Sequence, residues 1–469
     1  MNLSQRQPSR IRGAIVAAGC GILGATLLAA PAMGQESAEP SPNAKFVPSE
    51  VLVRFDDQKT EQVIELPSGV GVREAVRNFR DNEDVASAVP NYIARASFIP
   101  KDPGRGGGKG GWQEDQWNFL GGPGGVNAVD AWDILRAADR PGGRRPNGKR
   151  GTKVAVVDTG VAYRSKGSKY KRSPDLPADA FTRGKDFVDD DRLPLDENGH
   201  GTHIASTIVE RTHNGKAVTG LAYGVRVMPV RVLDAGGSGS AKDVARGIRY
   251  AANKGAKVIN LSLEFGLGAV ESCSDIPGVC RAIRKAIKKG ALVVAAAGNQ
   301  GRDQVAYPAF ADNPDDKKGV SAKGPVLAVG AGSVRGCLSD FSNYGPGLDL
   351  VAPGGGDDRG AAGAHCDPFG PAPGIVQMTL KSAPALNGDF KQFGFPRYDG
   401  TSMAAAHVSA AAALVLSSKV LRKSLKRKPK PADIEKWMEA RTRTGVDGVQ
   451  LEEKFYGAGL LDAAAALAK

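Results

Sequence analysis

The sequence predicts an α/β protein with a doubly wound, mostly parallel sheet and helices on both faces. Six short continuous apolar runs, "KVAVVDTG", "RVMPVRVLD", "AKVINLSL", "ALVVAAAGN", "VLAVGAG" and "LDLVAP", have the pattern of strands buried on both sides of a parallel sheet. Between them, "AKDVARGIRYAANKG" and "CRAIRKAIKKG" repeat apolar residues at helical spacing and end in Gly, a helix-stop signal. With 469 residues the chain exceeds one ordinary domain, which leaves room for a smaller unit ahead of the α/β core.

At the N-terminus, Arg6, Arg10 and Arg12 precede "GAIVAAGCGILGATLLAA", and small residues follow at Ala30-Pro31-Ala32. This is the layout of a secretory signal peptide, residues 1–34. An alternative keeps residues 13–32 as an anchor, but their many Gly and Ala residues make the stretch weakly hydrophobic. No later stretch reads as long and apolar enough to span, and no stable membrane association is expected. Cys20 falls in the segment removed, leaving Cys273, Cys280, Cys337 and Cys366. An even number in an exported protein favours two disulfides. Of three connectivities, Cys273–Cys280 with Cys337–Cys366 is preferred, because the first pair closes one short surface insertion. The four lack the paired CxxC spacing of a zinc site.

Residues 45–98 contain a strand-like alternation, "EVLVRF", a helical stretch, "VREAVRNF", and a return to extended character in "VASAVPNYIARASF". The tract "PKDPGRGGGKGG" then has no core-forming residues and reads as an exposed linker. The expected organisation is therefore a small unit at 35–101, a linker or arm at 102–116 and the main domain at 117–469.

Formal charge is +13 overall, but it is unevenly spread. Residues 35–101 carry eight Lys/Arg against eleven Asp/Glu, while 102–469 hold the whole positive excess, so the acidic piece could dock on the basic one. The run "LRKSLKRKPKP" lacks interleaved aromatic residues and reads as a solvated helix end; no nucleic-acid partner is expected.

Four residues could carry chemistry. Asp158 directly follows the apolar "VAVV", at the carboxyl end of a buried strand, where α/β sheets place functional groups; by itself, Asp before Thr-Gly is ordinary turn chemistry. In "DENGHGTHIASTI", His200 and His203 open an apolar helix, and two of the chain's five histidines fall here. No Glu stands between them as in the zinc-protease motif. His200 would project into a cleft as a base, with His203 one turn inside. Asn299, ending "VVAAAGN", is a turn residue or a side-chain amide donor for an oxyanion. Ser402, in "YDGTSMAAAHVSA", is a helix cap or a nucleophile, and a nucleophile needs a base and a group to orient that base. The joint pattern of the four is more specific than any member.

The motifs "VAVVDTGV", "NGHGTHIAS", "AAAGN" and "DGTSMAAAHVS" resemble those of the subtilisin-like serine proteases, thermitase-type members above all, over about residues 102–469. The resemblance implies the subtilisin-like fold, with Ser402 as nucleophile, His200 as general base and acid, and Asp158 orienting the imidazole. Asn299 and the backbone N–H of Ser402 would hold the oxyanion. It further implies that the segments at 236–240 and 261–266 clamp an extended peptide as an added strand. The contacts would come from Gly237, Ser238, Gly239, Ser262, Leu263, Glu264 and Gly298. Glu264 stands where the family usually has Gly, which suggests a preference for Lys or Arg before the cut, and Ala406 stands where it usually has Pro.

The acidic stretch "DFVDDDRLPLDENG" matches a thermitase-like calcium loop through Asp186, Asp189 and Asp191. Asp102, Asp175 and Asn214 fall where a second, tighter site of that family draws its ligands. Residues 35–101 resemble a short α+β propeptide that assists folding and inhibits the mature domain. Residues 354–398 receive no assignment. The implied protein is a secreted, monomeric endopeptidase zymogen acting on polypeptides and stabilised by calcium.

Overall fold

The computed structural model describes residues 46–58, 60–92, 99–105, 110–312, 324–381 and 388–468. The expected signal segment lies outside them. The chain divides into two compact units, residues 1–96 and 97–469.

In the first unit, β1 (Phe46–Phe55), β2 (Gln62–Glu65), α1 (Val72–Arg80) and β3 (Val85–Tyr92) follow one another. The strands form an antiparallel sheet in the order β2-β1-β3. One face of that sheet and one stripe of the helix supply a small core: Val51, Val53, Val72, Ala75, Val76 and Ala88. This is the α+β unit expected from the alternation of "EVLVRF" and the helical spacing of "VREAVRNF".

The second unit is built on seven strands: β4 (Lys153–Asp158), β5 (Lys185–Asp186), β6 (Arg226–Arg231), β7 (Val258–Leu261), β8 (Leu292–Ala296), β9 (Val326–Gly332) and β10 (Leu350–Pro353). Their order is β10-β9-β8-β7-β4-β6-β5, with every pair parallel. Because β4 pairs with β6 on one side and β7 on the other, the winding direction reverses beside β4. In such sheets a crevice opens at that point, outside the strands' carboxyl ends.

Alternate residues of β4 enter two cores, as the period of a strand requires. Val154 and Val156 pack with α2 (Ala128–Ala137), α3 (His200–Val209) and α6 (Thr401–Ser418). Ala155 and Val157 pack with α4 (Ala241–Asn253) and α5 (Pro277–Lys288). Burial on both faces explains why the strand sequences are continuously apolar.

Helix α6 corrects one sequence expectation. Its 18 residues are long and apolar enough by composition to cross a membrane, but 83% of them are buried inside the unit. It is apolar all round because protein surrounds it. The unassigned residues toward 398 form a ribbon in which Ile375–Val376 pairs with Arg397–Tyr398 and Thr379–Leu380 pairs with Phe393–Gly394. This ribbon braces α3: His203 Nε2 bonds the Ile375 carbonyl at 3.1 Å, Ser206 Oγ donates to Met378 O at 2.9 Å, and Thr379 Oγ1 donates to Gly199 O.

Both disulfides join the expected partners, Cys273–Cys280 across seven positions and Cys337–Cys366 across 29. Cys366, with His365 beside it, is thereby spent on a disulfide and not on a zinc site. Replacing Cys337 and Cys366 together by Ser should destabilise the domain by about 3–4 kcal/mol, the loop-entropy value for a 29-residue closure. The shorter Cys273–Cys280 loop should be worth about 2 kcal/mol by the same reasoning. Urea denaturation of the two double variants checks the order.

Candidate active site

Asp158 ends β4 fully buried. Its Oδ1 accepts from the Thr159 N–H at 2.7 Å and from His200 Nδ1 at 2.7 Å. That second bond assigns the proton to Nδ1 and leaves Nε2 as the basic nitrogen. The His200 side chain remains 26% exposed, at the first residue of α3. Burial alone would push its imidazole down, but the charge and hydrogen bond of Asp158, with the charge of Asp196, hold it above its ordinary value.

The close approach of α3 to β4 has a steric requirement. A Cβ on Gly201 would lie 2.1 Å from the Gly160 carbonyl, so only glycine fits directly after His200. Asp196, which sequence reasoning passed over, builds the turn that aims His200. Its Oδ1 accepts from Thr159 Oγ1, Asn198 N and Gly199 N, and its Oδ2 from Thr202 N and Thr202 Oγ1, all between 2.6 and 2.9 Å. The available signal was an Asp four residues ahead of a helix-starting His, and such an Asp is also an ordinary turn residue. His203 lies inside, fully buried, stacked on Tyr398 and pushed down to about 3 by burial. With its Nε2 held by Ile375, it forms no metal pair with His200.

Ser402 stands in the first turn of α6. Its Oγ donates to the Ser262 carbonyl at 3.2 Å, and Ser262 Oγ in return donates to the Ser402 carbonyl at 2.7 Å. Asn260 Nδ2 donates to Ser262 Oγ, and Ser409 Oγ donates to Asn260 Oδ1. This buried polar chain clamps the end of β7 to α6. Asn299, exposed after β8, uses its Oδ1 to accept from Thr401 N and Thr401 Oγ1 at 2.9 and 3.0 Å. That fixes which way the amide faces and frees Nδ2 as a donor.

A cleft of about 430 Å³ is lined by His200, Gly237, Ser238, Gly239, Ser262, Leu263 and Glu264, together with Thr159, Asn198 and Phe265. Six of the seven residues expected to contact a peptide therefore share one groove with His200. The seventh, Gly298, packs against Glu264: a Cβ there would lie 2.5 Å from Glu264 Oε2 and 2.2 Å from Asn343 Nδ2, at a φ of +107°.

An Asp–His pair, a serine at a helix start and an oriented amide thus meet at the carboxyl ends of one parallel sheet, and residues 149–459 match the subtilase family, peptidase S8. This chain belongs to the subtilase family. It is 36% identical over 283 residues to the thermophilic serine proteinase of Bacillus sp. strain AK1, covering 60% of this chain and 58% of that protein. It is 38% identical over 233 residues to the thermitase of Thermoactinomyces vulgaris, covering 50% of this chain and 69% of thermitase. Among solved structures it resembles a protease of Pseudoalteromonas arctica PAMC 21717, with a TM-score of 0.58 and 27% identity over 79% of this chain and 99% of that one.

The two acidic sets differ within this subtilase. Around Asp186, the sequence expectation of a calcium loop meets a guanidinium. Buried Arg231 bonds Asp186 Oδ2 at 3.2 Å, Asp189 Oδ2 at 2.9 Å and Glu197 Oε2 at 2.9 Å. Asp186 Oδ1 accepts the N–H groups of Val188 and Asp189, and Asp191 Oδ1 accepts that of Leu193. The loop's inner oxygens are already satisfied by the protein.

The second set is short of positive charge. Asp102 accepts from the N–H groups of His213, Asn214 and Gly215, and Asn214 Nδ2 donates to Asp175 Oδ1 at 2.6 Å. Asp175 Oδ2 and both carboxyl oxygens of buried Glu210 have no hydrogen-bond partner among the described residues. Burial, then the like charge of Asp102, pushes Asp175 up to about 7, and burial with Asp175 pushes Glu210 well up. A hard divalent cation with oxygen ligands fits this set.

A larger bay of about 1070 Å³ contains none of the site residues; Arg164, Lys171, Arg172, Arg183, Arg192 and Lys391 line it.

Replacing Asp158 by Asn should lower the His200 pKa, because the opposing carboxylate disappears while burial stays. Histidine NMR of both proteins across pH 5–9 checks this without any substrate.

Proposed function

We propose that this chain is a secreted serine endopeptidase made as a self-processing zymogen of broad specificity. The observation that carries the reading is the 2.7 Å bond between His200 Nδ1 and buried Asp158, in the cleft where Ser262 binds Ser402.

In this reading, Ser402 Oγ turns from the Ser262 carbonyl to His200 Nε2 as a peptide enters and attacks the scissile carbonyl. His200 accepts the proton and returns it to the leaving amine, while Asp158 keeps the ring oriented and stabilises its charged form. Asn299 Nδ2 and the Ser402 N–H receive the negative charge that develops on the carbonyl oxygen. The start of α6 adds its dipole there. The segments at 236–240 and 261–266 bind the substrate backbone as a strand, so many sequences are accepted.

Residues 35–101 act as an inhibitory propeptide until they are cut away, and the mature protein is a monomer. Calcium binds at Asp102, Asp175 and Asn214, supplying the charge that three neighbouring carboxylates lack. At Asp186, Asp189 and Asp191, only the outward oxygens of Asp189 and Asp191 remain for an ion. The alternative is a subtilase fold that binds peptides without cutting them, in which the Ser402 hydroxyl stays on Ser262.

A fluorophosphonate probe separates the two. It should label Ser402, mapped by mass spectrometry, only after residues 35–101 are removed. A folded mature protein that stays unlabelled makes the silent binder the better reading. Asn299→Ala should lower kcat by about 10²–10³-fold, the range measured for such a donor in subtilisin.

Removing calcium with EGTA should lower the melting temperature of the mature protein, by on the order of 5 °C at saturating ion. Asp175→Asn should abolish most of that difference; a chelator effect undiminished in this variant would place the ion elsewhere.

A further inference from the structure

Glu264 is a carboxylate in the cleft without a counter-charge among the described residues. Its Oε1 accepts from Gln300 Nε2 at 2.6 Å, while its Oε2 is buried and has no hydrogen-bond partner among the described residues. No Lys, Arg or His among them lies within ion-pair distance of it. Burial pushes the carboxyl up, against the opposing pull of Gln300 and of the Asn299 backbone dipole. The free oxygen lies against Gly298, one residue before the amide donor Asn299.

Peptide geometry then says what reaches it. A scissile carbonyl lies near both Ser402 Oγ and Asn299 Nδ2, and the side chain of that same residue leaves from the carbon bonded to the carbonyl. Ser402 Oγ is bonded to Ser262 and Asn299 directly follows Gly298, so the wall made by Ser262–Glu264 and Gly298 is within reach of a long side chain at that carbon. A long cationic side chain would complete the buried carboxylate. An apolar one would leave that carboxylate desolvated and unpaired, and an acidic one would be repelled.

We propose that Glu264 is the specificity-determining residue of this subtilase and selects Lys or Arg at the residue whose carbonyl is attacked. The proposal rests on the endopeptidase reading above and narrows its substrate class. Gln300 is the positioning residue: by holding Oε1 it turns Oε2 toward Gly298.

The test uses the mature protein and matched peptides that differ only in having Lys, Arg, Phe, Leu or Glu before the cut. Active sites are counted by fluorophosphonate titration. Lys and Arg should exceed Phe in kcat/KM by at least about tenfold, with Glu the poorest. Glu264→Gln, which keeps the shape and removes the charge, should collapse the Lys-to-Phe ratio by at least about tenfold. Gln300→Ala should reduce the ratio less, since the carboxylate stays but loses its tether. Equal cleavage after Phe and Arg by the unaltered protein overturns the proposal, and so does a Lys-to-Phe ratio that Glu264→Gln leaves intact; either result spares the endopeptidase reading. Failure to cut any peptide, in a folded protein that also resists the probe, defeats the endopeptidase reading and the proposal with it.

Discussion

The architecture of the main unit depends on burying α6. Of its 18 residues, 15 are buried, and the helix has no polar face to turn toward water. A helix apolar on every side is stable only when enclosed, and α6 is enclosed by α3, residues 463–467 and one face of the parallel sheet. Its many alanines let those neighbours approach closely. Once the helix lies there, its first turn opens at the carboxyl ends of β7 and β8, beside the reversal in strand order next to β4. The serine of that turn therefore meets the groups at the ends of these strands for reasons of packing.

Packing places the elements, and polar bonds aim the side chains. Asn260, Ser262 and Ser409 link the end of β7 to α6, and Asp196 gathers five donors beneath the start of α3. Buried polar groups with complete partners hold one arrangement strongly, because each broken bond would leave an unsatisfied atom away from water. The ribbon at 375–398 works the same way on α3 from its other side.

Buried carboxylates organise the charge of the molecule. Asp158 has His200, and Asp186 has Arg231. A buried carboxylate without such a partner is costly. Among the described residues, Asp196 is held by neutral donors alone, whereas the set of Asp102, Asp175 and Glu210, and Glu264 in the cleft, keep carboxyl oxygens with neither a cation nor a hydrogen bond. No described Lys or Arg forms an ion pair with either, so these are positions where a cation from outside contributes most. The six basic side chains lining the separate bay relieve neither.

Local sequence alone determined the strands, the helices between them and the placing of Asp158, His200, Asn299 and Ser402 at their ends. Continuous apolar runs, helical periodicity and turn glycines are local properties, legible without knowing what lies across the fold. Counting left three disulfide connectivities open and a short loop favoured one of them; the tertiary structure decides the pairing. Asp196 reads locally as an ordinary turn residue, since four of its five donors lie within residues 198–202, and only the fold brings in the fifth, Thr159. The ribbon at 375–398 escaped notice because its pairs are two residues long and carry no periodicity. Helix α6 looked unlike a membrane span in sequence and met that test of composition in the structure, since hydropathy cannot say whether lipid or protein will enclose a helix. The acidic loop at Asp186 invited a calcium ion because the sequence does not reveal that Arg231, more than 40 positions away, enters it. Which carboxylates find an internal cation and which remain bare is decided by long-range packing, and only the tertiary structure contains that information.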